Sequence, residues 1–235
     1  MTDLLWSSLA LATIAGASIP VGAAIAAHPL NVLPQWAKTE ARHTVLAFGA
    51  GALLAAVALV LIPEDSERLA PAPALIWFII GGVAFAWVDR ALARRGGKVA
   101  QFLAMMMDYL PEALALGAVI SGDLATAVLV AVLICLQNLP ESFNAMREMS
   151  EDGSGPSLWL FVAMVPLGPL AAWIGLALPP EAASGIGAVM MLSAGGILYL
   201  MFEDIAPEVP LENSKFPPLG AIIGFAFGLA GHLMT

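Results

Sequence analysis

Two neighbouring segments of the chain decide its fold class. Residues 99–121 read VAQFLAMMMDYLPEALALGAVIS, and residues 124–146 read LATAVLVAVLICLQNLPESFNAM. Each segment is apolar over roughly the 20 residues that a helix needs to cross a bilayer. Each also contains a proline followed directly by a glutamate, at Glu112 and at Glu141. The pair therefore predicts two membrane-spanning helices that carry acids within the apolar layer.

The same apolar character extends over the rest of the chain. Of the 235 residues, 60% are hydrophobic and 11% are charged, whereas a soluble domain carries roughly 25% charged residues. No composition shift divides the sequence, so we expect residues 1–235 to form one all-α, multi-pass membrane domain whose surroundings are the lipid bilayer. A basic patch with interleaved aromatics is absent, so no nucleic-acid partner is expected. Eight spans are predicted, near Leu4–Ala27, Val45–Pro63, Ala72–Ala91, Val99–Ser121, Leu124–Met146, Leu158–Leu178, Ala183–Ala206 and Pro217–Met234.

The positions of the basic residues predict the orientation in the membrane. With the N-terminus outside, eight of the nine lysines and arginines fall in inner connections, and only Arg68 falls outside. This bias places both termini outside. The segment before the first span contains Asp3 and no basic residue, unlike a signal peptide, so we expect Leu4–Ala27 to be retained as the first helix.

The second and seventh predicted spans resemble each other. Gly51 precedes Pro63 by twelve positions, and Gly195 precedes Pro207 by the same interval. Under the predicted orientation these two spans cross the membrane in opposite directions, as in transporters built from inverted repeats. The expected architecture is therefore an inverted repeat of three helices, two central helices and three helices.

The acids of the fourth and fifth spans form a repeated motif. The stretch DYLPE at 108–112 matches QNLPE at 137–141, and the first and last residues of each stretch share one helix face. A charged acid at the bilayer centre costs on the order of 2.5–3.5 kcal/mol. Such acids are tolerated when they face one another across a cation, and carboxylate and carbonyl oxygens suit divalent ions.

At these motifs the chain resembles the ZIP (Zrt/Irt-like) family of metal transporters, which carry a short Pro-Glu motif in helix four and a related one in helix five. The resemblance covers nearly the whole chain and includes Pro-Leu-Gly at 166–168 in the sixth span. It implies eight helices with both termini outside, a homodimer, a place in the cell (inner) membrane, and movement of metal into the cytoplasm.

The chain departs from the family pattern at several positions. Asp108 stands where the family usually has histidine, Tyr109 where it has asparagine, and Val165 where many relatives have glutamate. The resemblance therefore implies that a second metal position, drawing on Tyr109, Asn138 and Val165, is lost. The first position is expected to remain, and the candidate metal ligands of the chain are Asp108, Glu112, Gln137, Glu141 and Asn138.

These observations predict transmembrane transport of a divalent metal ion, with Zn, Fe, Mn, Cd or Co as substrate rather than as a resident cofactor. The replacement of an imidazole by a carboxylate makes the expected site harder and favours ions that prefer oxygen. One alternative is a metal-binding or sensing relative that does not transport, and another is a carrier of a different small solute. An intramembrane enzyme is not expected, because the chain lacks a Gly-x-Gly-Asp motif, a histidine in the middle of a span and paired histidines at helical spacing.

Overall fold

The computed structural model of the chain describes residues 2–27, 35–63, 68–94, 97–120, 124–151, 157–179, 182–212 and 214–234. This part of the chain is almost entirely helical and contains no strand. Its helices are α1 (Thr2–Ala27), α2 (Gln35–Ala56), α3 (Pro71–Ala93), α4 (Gly97–Val119), α5 (Leu124–Glu151), α6 (Leu158–Met164 and Leu167–Ala177), α7 (Ala183–Leu200) and α8 (Phe216–Met234). The all-α prediction is confirmed.

Seven of these helices are long and apolar enough to cross a bilayer, which makes the chain a multi-pass membrane protein. The remaining helix, α4, is 23 residues long and contains Asp108 and Glu112. It lies largely within the bundle, since its residues from Met105 to Ile120 are buried or half-buried. Acids on this helix are therefore shielded from lipid by the surrounding protein.

The helices divide into a central group and two peripheral members. In an apolar stretch of 18 residues taken from each helix, 17% of the residues of α3 and 22% of those of α8 are buried inside the protein. In α2 the buried share is 61%. The most extensive helix pairs are α2 with α8, α1 with α5, α3 with α7, and α4 with α6. The common hydrophobic core is formed mainly by α1, α2, α4, α5, α6 and α7.

Glycines bring two of these pairs into close backbone contact. A Cβ atom added at Gly51 of α2 would overlap the carbonyl oxygen of Ala221 of α8, and one added at Gly195 of α7 would overlap that of Phe78 of α3. Small residues that let backbones approach are typical of helix association in membranes. The glycine that opens each predicted repeat therefore serves a helix–helix contact.

Some helices are longer than the predicted spans, because they continue into polar residues outside the apolar segment. Helix α2 begins at Gln35, ten residues before the predicted Val45, and α5 continues to Glu151, because charged residues end an apolar segment without ending a helix. Helix α6 is interrupted between Met164 and Leu167. Both α2 and α7 continue into a π-helical turn, at Val57–Leu61 and Met201–Ile205.

Candidate metal centre

Helices α4 and α5 place a small group of polar side chains inside the core. Asp108 is 5% exposed, Glu112 is 1% exposed and Gln137 is 3% exposed. Asp108 and Glu112 lie on one face of α4 because they are four residues apart. Both helices continue through their internal prolines, Pro111 and Pro140. The two repeated motifs therefore lie in helical segments of a densely packed interior.

A hydrogen bond joins the two motifs directly. The Nε2 group of Gln137 donates to Oε1 of Glu112. This contact holds the motif of α4 against the motif of α5. Glu141 lies one helical turn beyond Gln137 on α5.

Three oxygen atoms of this group have no hydrogen-bond partner in the described part of the chain. They are Oδ1 of Asp108, Oε2 of Glu112 and Oε1 of Gln137, and all three are shielded from solvent. Buried polar atoms in native proteins are nearly always paired, and each exception requires an explanation. Unpaired oxygens on neighbouring side chains require a further partner, such as ordered water or a cation.

The charges of the group lead to the same requirement. Asp108 and Glu112 repel each other across one helical turn, and neither is paired with a basic side chain among the described residues. Ionised carboxylates in a low-dielectric interior are strongly destabilising unless they are paired or coordinate a cation, and a buried acid without such a partner takes up a proton instead. A divalent cation bound to the two carboxylates and the amide oxygen would neutralise the cluster and satisfy its oxygens.

Other predicted site residues form contacts with α1. Asn138 is buried, and its Nδ2 donates to the carbonyl oxygen of Ala15 at 3.3 Å. Tyr109 is also buried, and its hydroxyl lies 3.5 Å from the carbonyl oxygen of Ala12. The two residues therefore hold α4 and α5 against α1. The hydroxyl of Tyr109 also lies against Gly16 and Gly168, where an added Cβ atom would overlap it.

Glu141 is placed differently from the other candidates. It is half-buried, lies one turn beyond Gln137, and has interactions of its own. Within the described residues, no group of three or more His, Cys, Asp or Glu side chains is arranged to hold a metal ion. Of the five candidate ligands, Asp108, Glu112, Gln137 and Asn138 are buried, and Glu141 is half-buried.

A second polar group, not predicted from the sequence, lies at the end of the bundle where α2 begins and α5 ends. The Nη2 group of Arg42 donates to Oδ1 of Asn144 and lies 3.7 Å from Oε2 of Glu208. Asn144 Nδ2 also donates to Glu208 Oε2 at 3.2 Å. One signal for this group was present in the sequence, since Glu208 follows the proline that closes the second copy of the repeat.

No known family model matches this chain, and no curated protein matches it either.

Proposed function

We propose that the protein moves divalent metal ions across a membrane through the buried site of Asp108, Glu112 and Gln137. The single observation that carries this proposal is the set of three buried, unpaired oxygens on the two central helices. An acid inside a membrane protein marks an ion or proton pathway more often than a structural contact, because its burial is costly. A purely structural role would leave these oxygens without the partners that a buried cluster needs.

The pattern of helix contacts supports an inverted-repeat transporter. If α1, α2 and α3 correspond to α6, α7 and α8, and α4 to α5, the pair α2–α8 corresponds to α7–α3. The same exchange relates α1–α5 to α6–α4. The π-helical turns at Val57–Leu61 and Met201–Ile205 also begin at equivalent positions, six residues after Gly51 and Gly195. In such transporters the substrate site lies at the repeat interface near the bilayer midplane.

The chemistry of the unpaired atoms supports an oxygen-preferring ion. Two carboxylates and one amide oxygen are hard ligands, which suit Mn²⁺ and Mg²⁺ better than a site containing sulfur or nitrogen. Glu141 lies on the same face of α5 as Gln137, one helical turn away, and is the candidate for a further carboxylate ligand. The resemblance to ZIP transporters is consistent with this assignment and extends the proposal to import into the cytoplasm by a homodimer with both termini outside.

A metal-binding protein that does not transport is the alternative favoured by one observation. Glycines at positions 16 and 168 make room for the hydroxyl of Tyr109, because a Cβ atom at either glycine would overlap it. The ring therefore braces α1, α4 and α6 together beside the carboxylates. A cluster braced in this way could bind an ion without releasing it to the other side.

Uptake into proteoliposomes tests the proposal. The native protein is compared with Glu112→Gln, which keeps the size and the hydrogen bond of the side chain but removes its charge. Glu212→Gln serves as the control, because it removes the same charge from an exposed residue in the connection before α8. The ions offered are Zn²⁺, Fe²⁺, Mn²⁺, Cd²⁺, Co²⁺ and Mg²⁺.

We expect the native protein and Glu212→Gln to take up at least one of these ions, and Glu112→Gln to lose most of that uptake. Equal uptake by all three proteins would overturn the assignment of the site. Binding without uptake in the folded native protein would establish the non-transporting alternative.

A further inference from the structure

The contacts of Arg42 tie three parts of the bundle together. Arg42 and His43 belong to α2, and Asn144 belongs to α5. Glu208 ends the short helical segment Ala206–Glu208, which follows the π-helical turn at the end of α7. The guanidinium contacts the side chains of both Asn144 and Glu208, while Nδ1 of His43 is hydrogen-bonded to the main-chain oxygen of Glu208. The side chains of Arg42 and Glu208 are only 27% and 39% exposed. The group is therefore a partly shielded polar junction rather than a solvated surface pair.

A line of polar side chains on α5 connects this junction with the buried cluster. Gln137, Glu141 and Asn144 are spaced by four and three residues, so they lie on one helix face. The first of them donates to Glu112, and the last contacts Arg42 and Glu208. Seven residues of helix correspond to about 10 Å. Along this face, an ion leaving the cluster would meet the junction after about two turns.

The side-chain oxygens that contact Arg42 are also suitable ligands for a metal ion. A carboxylate and an amide oxygen surround its positive charge, and the same two groups commonly bind divalent cations together with water. Few protein ligands imply weak binding, which is required at an exit, because an ion must leave a site as readily as it enters. In this structure both oxygens contact the guanidinium of Arg42, which is itself a cation.

We propose that Asn144 and Glu208 form a second, weaker divalent-cation site at the end of the ion path, and that Arg42 fills it as a tethered cation when the path is closed. This inference rests on the proposed function. Withdrawal of Arg42 removes its contacts with Asn144 Oδ1 and Glu208 Oε2. The hydrogen bond of His43 to the main-chain oxygen of Glu208 still joins α2 to this end of the bundle.

Equilibrium binding of Mn²⁺ to the purified full-length chain, followed by electron paramagnetic resonance, tests the second site directly. Arg42→Gln removes the tethered charge. Arg147→Gln is the matched control, since Arg147 is an exposed arginine on α5 close to Asn144 in sequence. If Arg42→Gln does not fold, Arg42→Met replaces it, because the unbranched side chain keeps the packing of the aliphatic part.

We expect Arg42→Gln to bind one additional Mn²⁺ per chain, with a Kd of roughly 10⁻⁴–10⁻³ M, and Arg147→Gln to bind as many ions as the native protein. Adding Glu208→Gln to Arg42→Gln should remove the gained ion. Equal binding by folded Arg42 and Arg147 variants would overturn the proposal.

The central site is measured separately, as the Mn²⁺ ion that the native protein binds and Glu112→Gln does not. If the native protein does not bind that ion, the proposed function is contradicted, while the comparison of the Arg42 and Arg147 variants still tests the second site.

Discussion

Glu112 has one partner on one side of its carboxylate and none on the other. Its Oε1 accepts from Gln137, while its Oε2 and Oδ1 of Asp108 have no donor among the described residues. The bond from Gln137 fixes the direction of the carboxylate, and the two free oxygens define where a cation would bind. Loss of that bond leaves a further buried acceptor unsatisfied, which typically costs about 1–3 kcal/mol.

The stability of Glu112→Gln separates an ion site from a structural cluster. Without metal, we expect this variant to melt a few degrees above the native protein, because it removes one of two buried acids that are costly to ionise together. With saturating metal, the native protein should gain about 2.7 kcal/mol at an ion concentration one hundred times the Kd, and the variant should not. Thermal unfolding in detergent, with and without Mn²⁺ or Zn²⁺, measures both effects. Equal stabilisation of both proteins by metal would contradict a metal site at Glu112.

The contact of Tyr109 with Gly168 provides a second test at single residues. A Cβ atom at Gly168 would overlap the Tyr109 hydroxyl, so Gly168→Ala should destabilise the protein by about 1–3 kcal/mol. The cost should fall in a Tyr109→Phe background, which removes the atom nearest to the added methyl group. A double-mutant cycle measured by denaturant unfolding gives the coupling, and strictly additive effects would exclude the contact.

The sequence identified most of this chemistry but not its arrangement. The positions of Asp108, Glu112 and Gln137 follow from two copies of one motif, and their burial follows from the cost of exposing charge to lipid. The bond between Glu112 and Gln137 depends on the register of two helices, which the short connection between them does not determine. The role of Asn144 could not be predicted, because an amide near a span end is indistinguishable from a solvated one without its neighbours.

At the scale of helices, the fold depends on glycines that face a neighbouring backbone. We expect Gly51→Ala and Gly195→Ala to destabilise the protein to a similar extent, by at least about 1–3 kcal/mol, because in both cases the added methyl group meets a carbonyl oxygen. Gly185→Ala is the control, since nothing lies within 4 Å of a Cβ atom at that position. It should be neutral or slightly stabilising, because alanine favours helix by up to about 1 kcal/mol. Unfolding in detergent compares the three, and a cost at Gly185 equal to that at Gly51 would refute the explanation.

The presence of the helices could be predicted from the sequence, whereas the irregular turns within them could not. An apolar segment of sufficient length must be helical in a membrane, since no water is present to pair its backbone groups. The same rule explains why Pro20, Pro111 and Pro140 lie inside helices rather than ending them. The π-helical turns of α2 and α7 depend on packing, and the interruption of α6 at Val165-Pro166 is one of several outcomes that a proline allows.

At the scale of the whole molecule, the side on which each terminus lies depends on α4. It is the helix that carries both central acids, and it is not among the seven that length and composition identify as spans. We predict that α4 crosses the membrane, so a reporter fused after residue 94 is inside and one fused after residue 120 is outside. Alkaline phosphatase and fluorescent-protein fusions measure the two sides. The same side for both fusion points would contradict eight crossings and place the termini on opposite sides.

The inverted repeat, inferred from one short repeat in the sequence, stays a prediction. Gly51 and Pro63 match Gly195 and Pro207, and the structure adds paired helix contacts and paired π-helical turns that the sequence did not reveal. Only contacts between distant segments contain this information. The polar junction at Arg42 also depends on contacts between distant segments, because it joins α2, α5 and the end of α7.

The most direct test of the central claim is the position of a bound ion in crystals of the protein soaked in Mn²⁺, located by anomalous scattering. We expect a peak within about 2.0–2.6 Å of Asp108 Oδ1, Glu112 Oε2 and Gln137 Oε1, which is the usual range for hard cations on oxygen ligands. The peak should be absent from crystals of Glu112→Gln. A fully soaked native crystal with no peak at these three oxygens, or with an unchanged peak in the variant, would contradict it.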